Sequence, residues 1–190
     1  MTDRLMTFLR SHLKPEQRRL VKFLVVGVSG VPVNLGTVFA ATVLMPAASF
    51  IGLRDWLSPL IGVERLTPAG VRDGVAYGLG IALSIFTNFL LNNSWTWGDR
   101  AVAGKRGFAG RLVKFYLVST IAAAIQLATS TILSALLRGN EFFAASIHGE
   151  YRVYHVLAPA AGILVGLVIN FAVNNLWTFR SGGHRDDQLP

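Results

Sequence analysis

The chain has 190 residues, of which 52% are hydrophobic and 15% charged, against about 25% charged in an ordinary soluble domain. Mean hydropathy is +0.48, the net charge is +8, and there is no cysteine. This balance excludes a disordered chain, a collagen-like fibre, a disulfide scaffold and any thiol chemistry.

Residues 1–18 are basic and polar and read as a cytoplasmic N-terminal segment. After Lys22 no charged residue occurs before Arg54, and the same is true between Asp73 and Asp99, Lys114 and Arg138, and Arg152 and Arg180. Each gap exceeds the run of about 20 residues that crosses roughly 30 Å of hydrocarbon. A soluble helix of that length would carry a polar face. The pattern predicts transmembrane helices near 23–45, 74–97, 115–137 and 156–179. The first has the basic flank of a signal sequence, but it outruns an h-region of about 7–15 residues and its like recurs downstream, so an uncleaved helix is expected.

Lys and Arg set the orientation. Thirteen of them lie before the first span, between the second and third, and in the tail; five lie in the other two links. The positive-inside rule therefore places both termini in the cytoplasm. The basic charge belongs to membrane flanks, which disfavours a nucleic-acid partner. Residues 46–73 mix Phe50, Trp56, Leu57 and Leu60 with Pro46, Pro59 and Pro68, which suggests a short interfacial or re-entrant helix. Residues 138–155 hold Glu141, His148, Glu150, Tyr151, Arg152 and Tyr154, a set expected of a wet loop or, less readily, of a sugar surface.

The chain repeats itself. Arg19-Leu20-Val21-Lys22-Phe23 returns as Arg111-Leu112-Val113-Lys114-Phe115, and Asn92-Asn93-Ser94-Trp95-Thr96-Trp97 returns as Asn174-Asn175-Leu176-Trp177-Thr178-Phe179. The expectation is an all-α membrane protein of four transmembrane helices, arranged as two helical hairpins, 19–97 and 111–179. Residues 98–110 would be a cytoplasmic linker and 180–190 a cytoplasmic tail. Two spans per copy make the repeat parallel, about an axis along the membrane normal.

Aligning the copies exposes stripes inside the spans. Gly27, Gly30, Asn34 and Thr37 match Ser119, Ala122, Gln126 and Thr129 on one helical face. Gly80, Ser84, Asn88 and Asn92 match Gly162, Gly166, Asn170 and Asn174, each four apart. A single amide is most simply an interhelical hydrogen bond worth roughly 0.6–2 kcal/mol. Amides at similar depth on four helices also suit a polar cleft, because Asn34 lies about 18 Å and Asn88 about 13 Å from the basic face. Arg19, Lys22, Arg111 and Lys114 are either positive-inside anchors or a clamp for phosphate, with each pair on one side of its helix. Trp95, Trp97 and Trp177 are expected in an aromatic belt at the headgroups. Gly74-x-x-x-Gly78 and Gly162-x-x-x-Gly166 offer close-packing faces for a homo-oligomer.

No Asp, Glu, Lys or Arg lies within a span, so a carboxylate proton relay has no site there, which disfavours a small four-span drug exporter. No phosphate-binding glycine loop, zinc-spaced His pair or nucleophile–base pair appears. No enzyme, cofactor or metal site is expected, and His155 reads as interfacial.

The basic-Val-Lys-Phe opening, the four spans, and the helix running into Asn-Phe-x-x-Asn-Asn-x-Trp-Thr-Trp resemble the GtrA-like family of small bacterial membrane proteins. The likeness covers roughly residues 19–180 and is strongest over Val75 to Trp97. It departs from the family pattern in the second half, where Asn174-Asn175-Leu176-Trp177 copies the first. The resemblance implies translocation of polyprenyl-phosphate-linked sugars across the bacterial inner membrane for cell-envelope polysaccharide modification. Arg19, Lys22, Arg111 and Lys114 would then hold the lipid phosphate, and Asn34, Gln126, Asn88, Asn92, Asn170 and Asn174 would line the sugar's path. The alternative it allows is a non-transporting membrane anchor or accessory subunit for a polyprenyl-phosphate glycosyltransferase, which would be its partner.

Overall fold

The computed structural model describes residues 13–61, 66–100, 105–148 and 151–180. Arg4, Arg10, Arg65, Glu150 and Arg185 fall outside them, as do the side chains of Lys105, Arg106, His148 and Tyr151.

Four helices are long and apolar enough to cross a membrane, and the protein is a multi-pass membrane protein. Helix α1 spans Pro15–Leu44, with proline at its first turn where a missing N–H costs nothing. A 3₁₀ turn at Ala47–Phe50 and helix α2, Ile51–Ile61, form the link, so the short helix expected there is present. Helix α3 spans Pro68–Leu91, capped by the Thr67 hydroxyl accepting from Gly70 N–H at 3.0 Å. It runs on as a π-helical turn, Asn92–Thr96. Helix α4 spans Lys105–Leu137. The short helix α5, Glu141–Ala144, then leads into a small hairpin in which Ser146–His148 (β1) pairs antiparallel with Tyr151–Arg152 (β2). Local pairing thus orders a link expected to be plain loop. Helix α6, Tyr154–Val173, also ends in a π-helical turn, Asn174–Thr178. The first three membrane helices begin several residues before the predicted spans, because helix continues through the polar flanks, and α6 begins close to its predicted start.

The chain divides into two compact units, Met1–Thr96 and Trp97–Pro190. In the first, α1 packs along α3; in the second, α4 packs along α6. Both are inside-out relative to a soluble bundle. Val28, Leu35 and Phe39 stand exposed in the first, and Leu127, Leu164 and Val168 in the second, as surfaces facing lipid should. The buried sets sit at matching places. Phe23, Val26, Gly30, Ala76 and Gly80 are buried in the first unit, and Phe115, Val118, Ala122, Ala158 and Gly162 in the second.

Small residues decide how near the helices come. A Cβ on Gly80 would lie 2.8 Å from Val38 and 3.0 Å from the Asn34 carbonyl oxygen. On Gly162 it would collide with Ser130 Oγ and lie 2.6 Å from the Gln126 carbonyl oxygen; on Gly166 it would lie 3.0 Å from Gln126 Cβ. Gly162 and Gly166 are therefore consumed within their own hairpin, which corrects their assignment to an oligomer face. Gly74 and Gly78 have open space around them.

Candidate functional site

In the first unit the α1 and α3 stripes meet. Ser84 Oγ donates to the Gly30 carbonyl at 3.0 Å, and Gly30 has no side chain because Ser84 and Asn88 occupy that space. Beside this crossing lies a groove of about 250 Å³ lined by Gly27, Gly30, Val31, Asn34, Leu35 and Ser84. Pro32 lies in the same stretch of α1 and supplies no backbone donor to it. Asn34 is half-buried at the groove, and the Asn88 Oδ1 is buried with no partner. The sequence stripe thus forms an open, mostly apolar recess whose polar side chains are Asn34 and Ser84, within a charge-free length of helix.

The corresponding crossing in the second unit is filled differently. Gln126 lies against Gly162 and Gly166, and Ser130 Oγ donates to the Gln126 carbonyl at 2.8 Å. Gly166 takes the place that Ser84 holds in α3.

Toward the basic end, each hairpin carries a ladder of polar side chains four residues apart. In the first, Thr96 Oγ1 donates to Asn92 Oδ1 at 2.7 Å, while Asn92 Nδ2 is buried without a partner. In the second, Asn174 Nδ2 donates to Asn170 Oδ1 at 2.7 Å and to the Asn170 carbonyl at 2.9 Å, while Asn174 Oδ1 and Thr178 Oγ1 are buried without partners. Asn92 and Asn174 are both fully buried. They are core amides of the π-helical turns and do not line an open cleft.

Each hairpin ends on a lysine against an indole. Lys22 Nζ donates to the Trp95 carbonyl at 3.0 Å and lies 5.5 Å from the centre of the Trp95 ring. It therefore neutralises a carbonyl at the negative end of a helix. Lys114 Nζ lies 5.1 Å from the centre of the Trp177 ring. All four side chains are partly accessible, Trp177 to 46%. Arg19 pairs with Glu16 at 2.9 Å on its own helix, and Arg111 is half-buried one turn before Lys114.

Trp97 departs from the expected belt. It is fully buried in the second unit, stacked on Phe179 at 4.5 Å, with Phe171 6.0 Å away. Its Nε1 donates to Asn175 Oδ1 at 3.1 Å, and Arg100 donates to the same oxygen at 2.9 Å. A buried indole needs such an acceptor, and Asn175 supplies it. Sequence reasoning also passed over Ser84 as a groove residue and the pairing of Trp95 with Lys22. Its one available signal was the recurrence of Trp at the same place in both copies.

Among the described residues no group of three His, Cys, Asp or Glu side chains could hold a metal ion. The arrangement offers cations and indoles at one end of each hairpin and, in the first, a recess in which Asn34 and Ser84 stand among Gly27, Gly30, Val31 and Leu35. A family model described as GtrA/DPMS, transmembrane domain, matches residues 22–150, and the chain belongs to that family. The match covers the first three membrane helices and stops before α6. None of the curated proteins matches the chain.

Proposed function

We propose that this member of the GtrA/DPMS transmembrane family moves polyprenyl-phosphate-linked sugars across the bacterial inner membrane, with both termini cytoplasmic. The observation that carries the reading is the recess of Gly27, Gly30, Asn34 and Ser84 inside a helix pair with no membrane-embedded charge. A polar sugar crossing hydrocarbon needs hydrogen-bonding groups that carry no net charge, and amide and hydroxyl groups meet that need. An anionic phosphate needs cations where it first docks, and Lys22, Arg111 and Lys114 sit at the basic ends of their helices. Arg19 joins them on exchange of its Glu16 partner for phosphate. The polyprenyl tail remains against the apolar outer faces of the helices. The protein's own contribution is binding and shielding, with no covalent step.

The test is reconstitution of purified protein in liposomes loaded with a polyprenyl-phospho-sugar, followed by an assay of sugar accessibility from each side. Wild-type protein should equilibrate the lipid, and Asn34→Leu combined with Asn88→Leu should slow it about tenfold, the effect of roughly 1.4 kcal/mol in lost hydrogen bonding. Lys22→Ala with Lys114→Ala should weaken lipid binding far more than Lys14→Ala with Lys105→Ala, with topology checked alongside. Equilibration no faster than in empty liposomes would favour a non-transporting anchor for a glycosyltransferase.

A further inference from the structure

The two lysine–indole pairs stand apart from the polar recess and occur twice. Lys22 lies over Trp95 and Lys114 over Trp177, with separations of 5.5 and 5.1 Å. The pair recurs with its motif: Arg-Leu-Val-Lys-Phe is the same in both copies, and Asn-Asn-x-Trp-Thr differs only in Ser94 against Leu176. The ring contact holds an ammonium only weakly at a partly exposed site. Lys22 also donates to the Trp95 carbonyl at 3.0 Å, a bond that needs one of its three N–H groups. A phosphate oxygen binds the same ammonium more strongly through a charge-assisted hydrogen bond. Any phosphate reaching the pair should draw the lysine off the ring.

The ring is then left uncovered beside the bound phosphate. An indole face is apolar, rigid and electron-rich, and it accepts the C–H face of a pyranose as readily as it accepts an ammonium. We infer that each lysine–indole pair is a two-part cradle for a phospho-sugar headgroup: the lysine takes the phosphate, and the vacated Trp95 or Trp177 face takes the sugar ring. The pair in the empty protein is a self-occupied form of that cradle, with the lysine standing where the sugar will stack. The cradle discriminates. A polyprenyl phosphate without sugar uses the lysine alone, whereas a polyprenyl-phospho-sugar uses both parts. Selection of loaded over unloaded carrier would therefore occur at the docking step, before any movement across the bilayer.

This inference rests on the substrate class proposed above, and the test separates the two. Full-length protein in nanodiscs is titrated with polyprenyl phosphate and with the matching polyprenyl-phospho-sugar, and affinity is read directly for each. Wild-type protein should prefer the sugar-bearing lipid. Trp95→Leu combined with Trp177→Leu should lower affinity for the sugar-bearing lipid about tenfold, near the 1.4 kcal/mol of one stacking contact. The same variant should hold the sugarless lipid at least as tightly as wild type, because its lysines no longer have a competing indole. Lys22→Gln with Lys114→Gln should weaken both lipids together. Trp56→Leu, on the exposed face of α2, should change neither. Equal losses of both lipids in the tryptophan variant, with wild-type thermal stability, would make the indoles mere interfacial anchors and overturn the cradle while leaving the substrate class intact. Failure of wild-type protein to bind either lipid above vesicles of phosphatidylglycerol would overturn both.

Discussion

The two hairpins share a plan and differ in how it is finished. The first keeps an open recess beside its crossing, with open space at Gly27, while the space at Gly30 is taken by Ser84 and Asn88. The second brings Gly162 and Gly166 directly against Gln126, Ser130 and Ala122, and plugs its basic end with Trp97, Phe115 and Phe179. Trp97 belongs by sequence to the end of the first copy, yet it is core in the second unit. A duplicated frame is thus finished in two ways, one copy closed by aromatic packing at its basic end and the other open beside its helix crossing.

The firmest contrast lies between tryptophans. Trp97→Ala should cost about 3–5 kcal/mol, because it opens a cavity under Phe179 and removes the indole's hydrogen bond to Asn175 Oδ1, which keeps Arg100. Trp177→Ala, exposed on one face, should cost under about 0.5 kcal/mol. Thermal unfolding in mild detergent measures both, and similar losses would erase the distinction between plug and cradle.

Glycines give the next effect. Gly162→Leu and Gly80→Leu should each cost about 1–3 kcal/mol by forcing the helices apart, since each meets a backbone oxygen that cannot yield. Gly74→Leu and Gly78→Leu should leave the monomer's unfolding midpoint unchanged. If native mass spectrometry shows an oligomer that these last two variants abolish, the open glycine face of α3 is its seam.

The ladders should respond more mildly. Asn92→Leu should cost about 1 kcal/mol by leaving the Thr96 hydroxyl buried and unpaired. Adding Thr96→Val should recover part of that loss, because both partners are then apolar. In the second copy Thr178→Val should give the same gain with or without Asn174→Leu, a coupling near zero, as Asn174 bonds backward to Asn170 and not to Thr178. Arg100→Ala is expected at a similar level, about 0.5–1.5 kcal/mol, visible as faster hydrogen exchange over 174–178.

The membrane helices were legible from charge alone, because hydrocarbon tolerates no lysine or carboxylate in its middle. The stripes were legible too: Gly30, Asn34, Gly80, Ser84 and Asn88 meet as their spacing required. Trp97 was not, because an indole at headgroup depth has the same sequence surroundings whether it faces lipid or core. Its repeat counterpart, Phe179, has no polar edge and was the better guide. Gly74-x-x-x-Gly78 and Gly162-x-x-x-Gly166 look identical as strings. Only register separates them, since Gly162 corresponds to Gly80 in the other copy while Gly74 and Gly78 correspond to Val156 and Ala160. The recess depends on how closely α1 and α3 pack along each other, which no one-dimensional pattern carries.

The π-helical turns at Asn92–Thr96 and Asn174–Thr178 change the phase of the residues beyond them. Asn92 N–H is shared between the carbonyls of Asn88 and Phe89, and Asn174 N–H between those of Asn170 and Phe171. Phe179 N–H reaches back five residues to the Asn174 carbonyl at 2.9 Å. Such a turn holds one residue more than the α-helix around it, like a shim slipped into a thread. Removing that residue would let the thread close and rotate the rest of the helix end by about 100°. Trp95 and Trp177 would swing away from their lysines, and the buried threonines would turn outward. A single-residue deletion, harmless to length and hydropathy, would thus dismantle the basic end of a hairpin while its membrane-crossing part stayed whole.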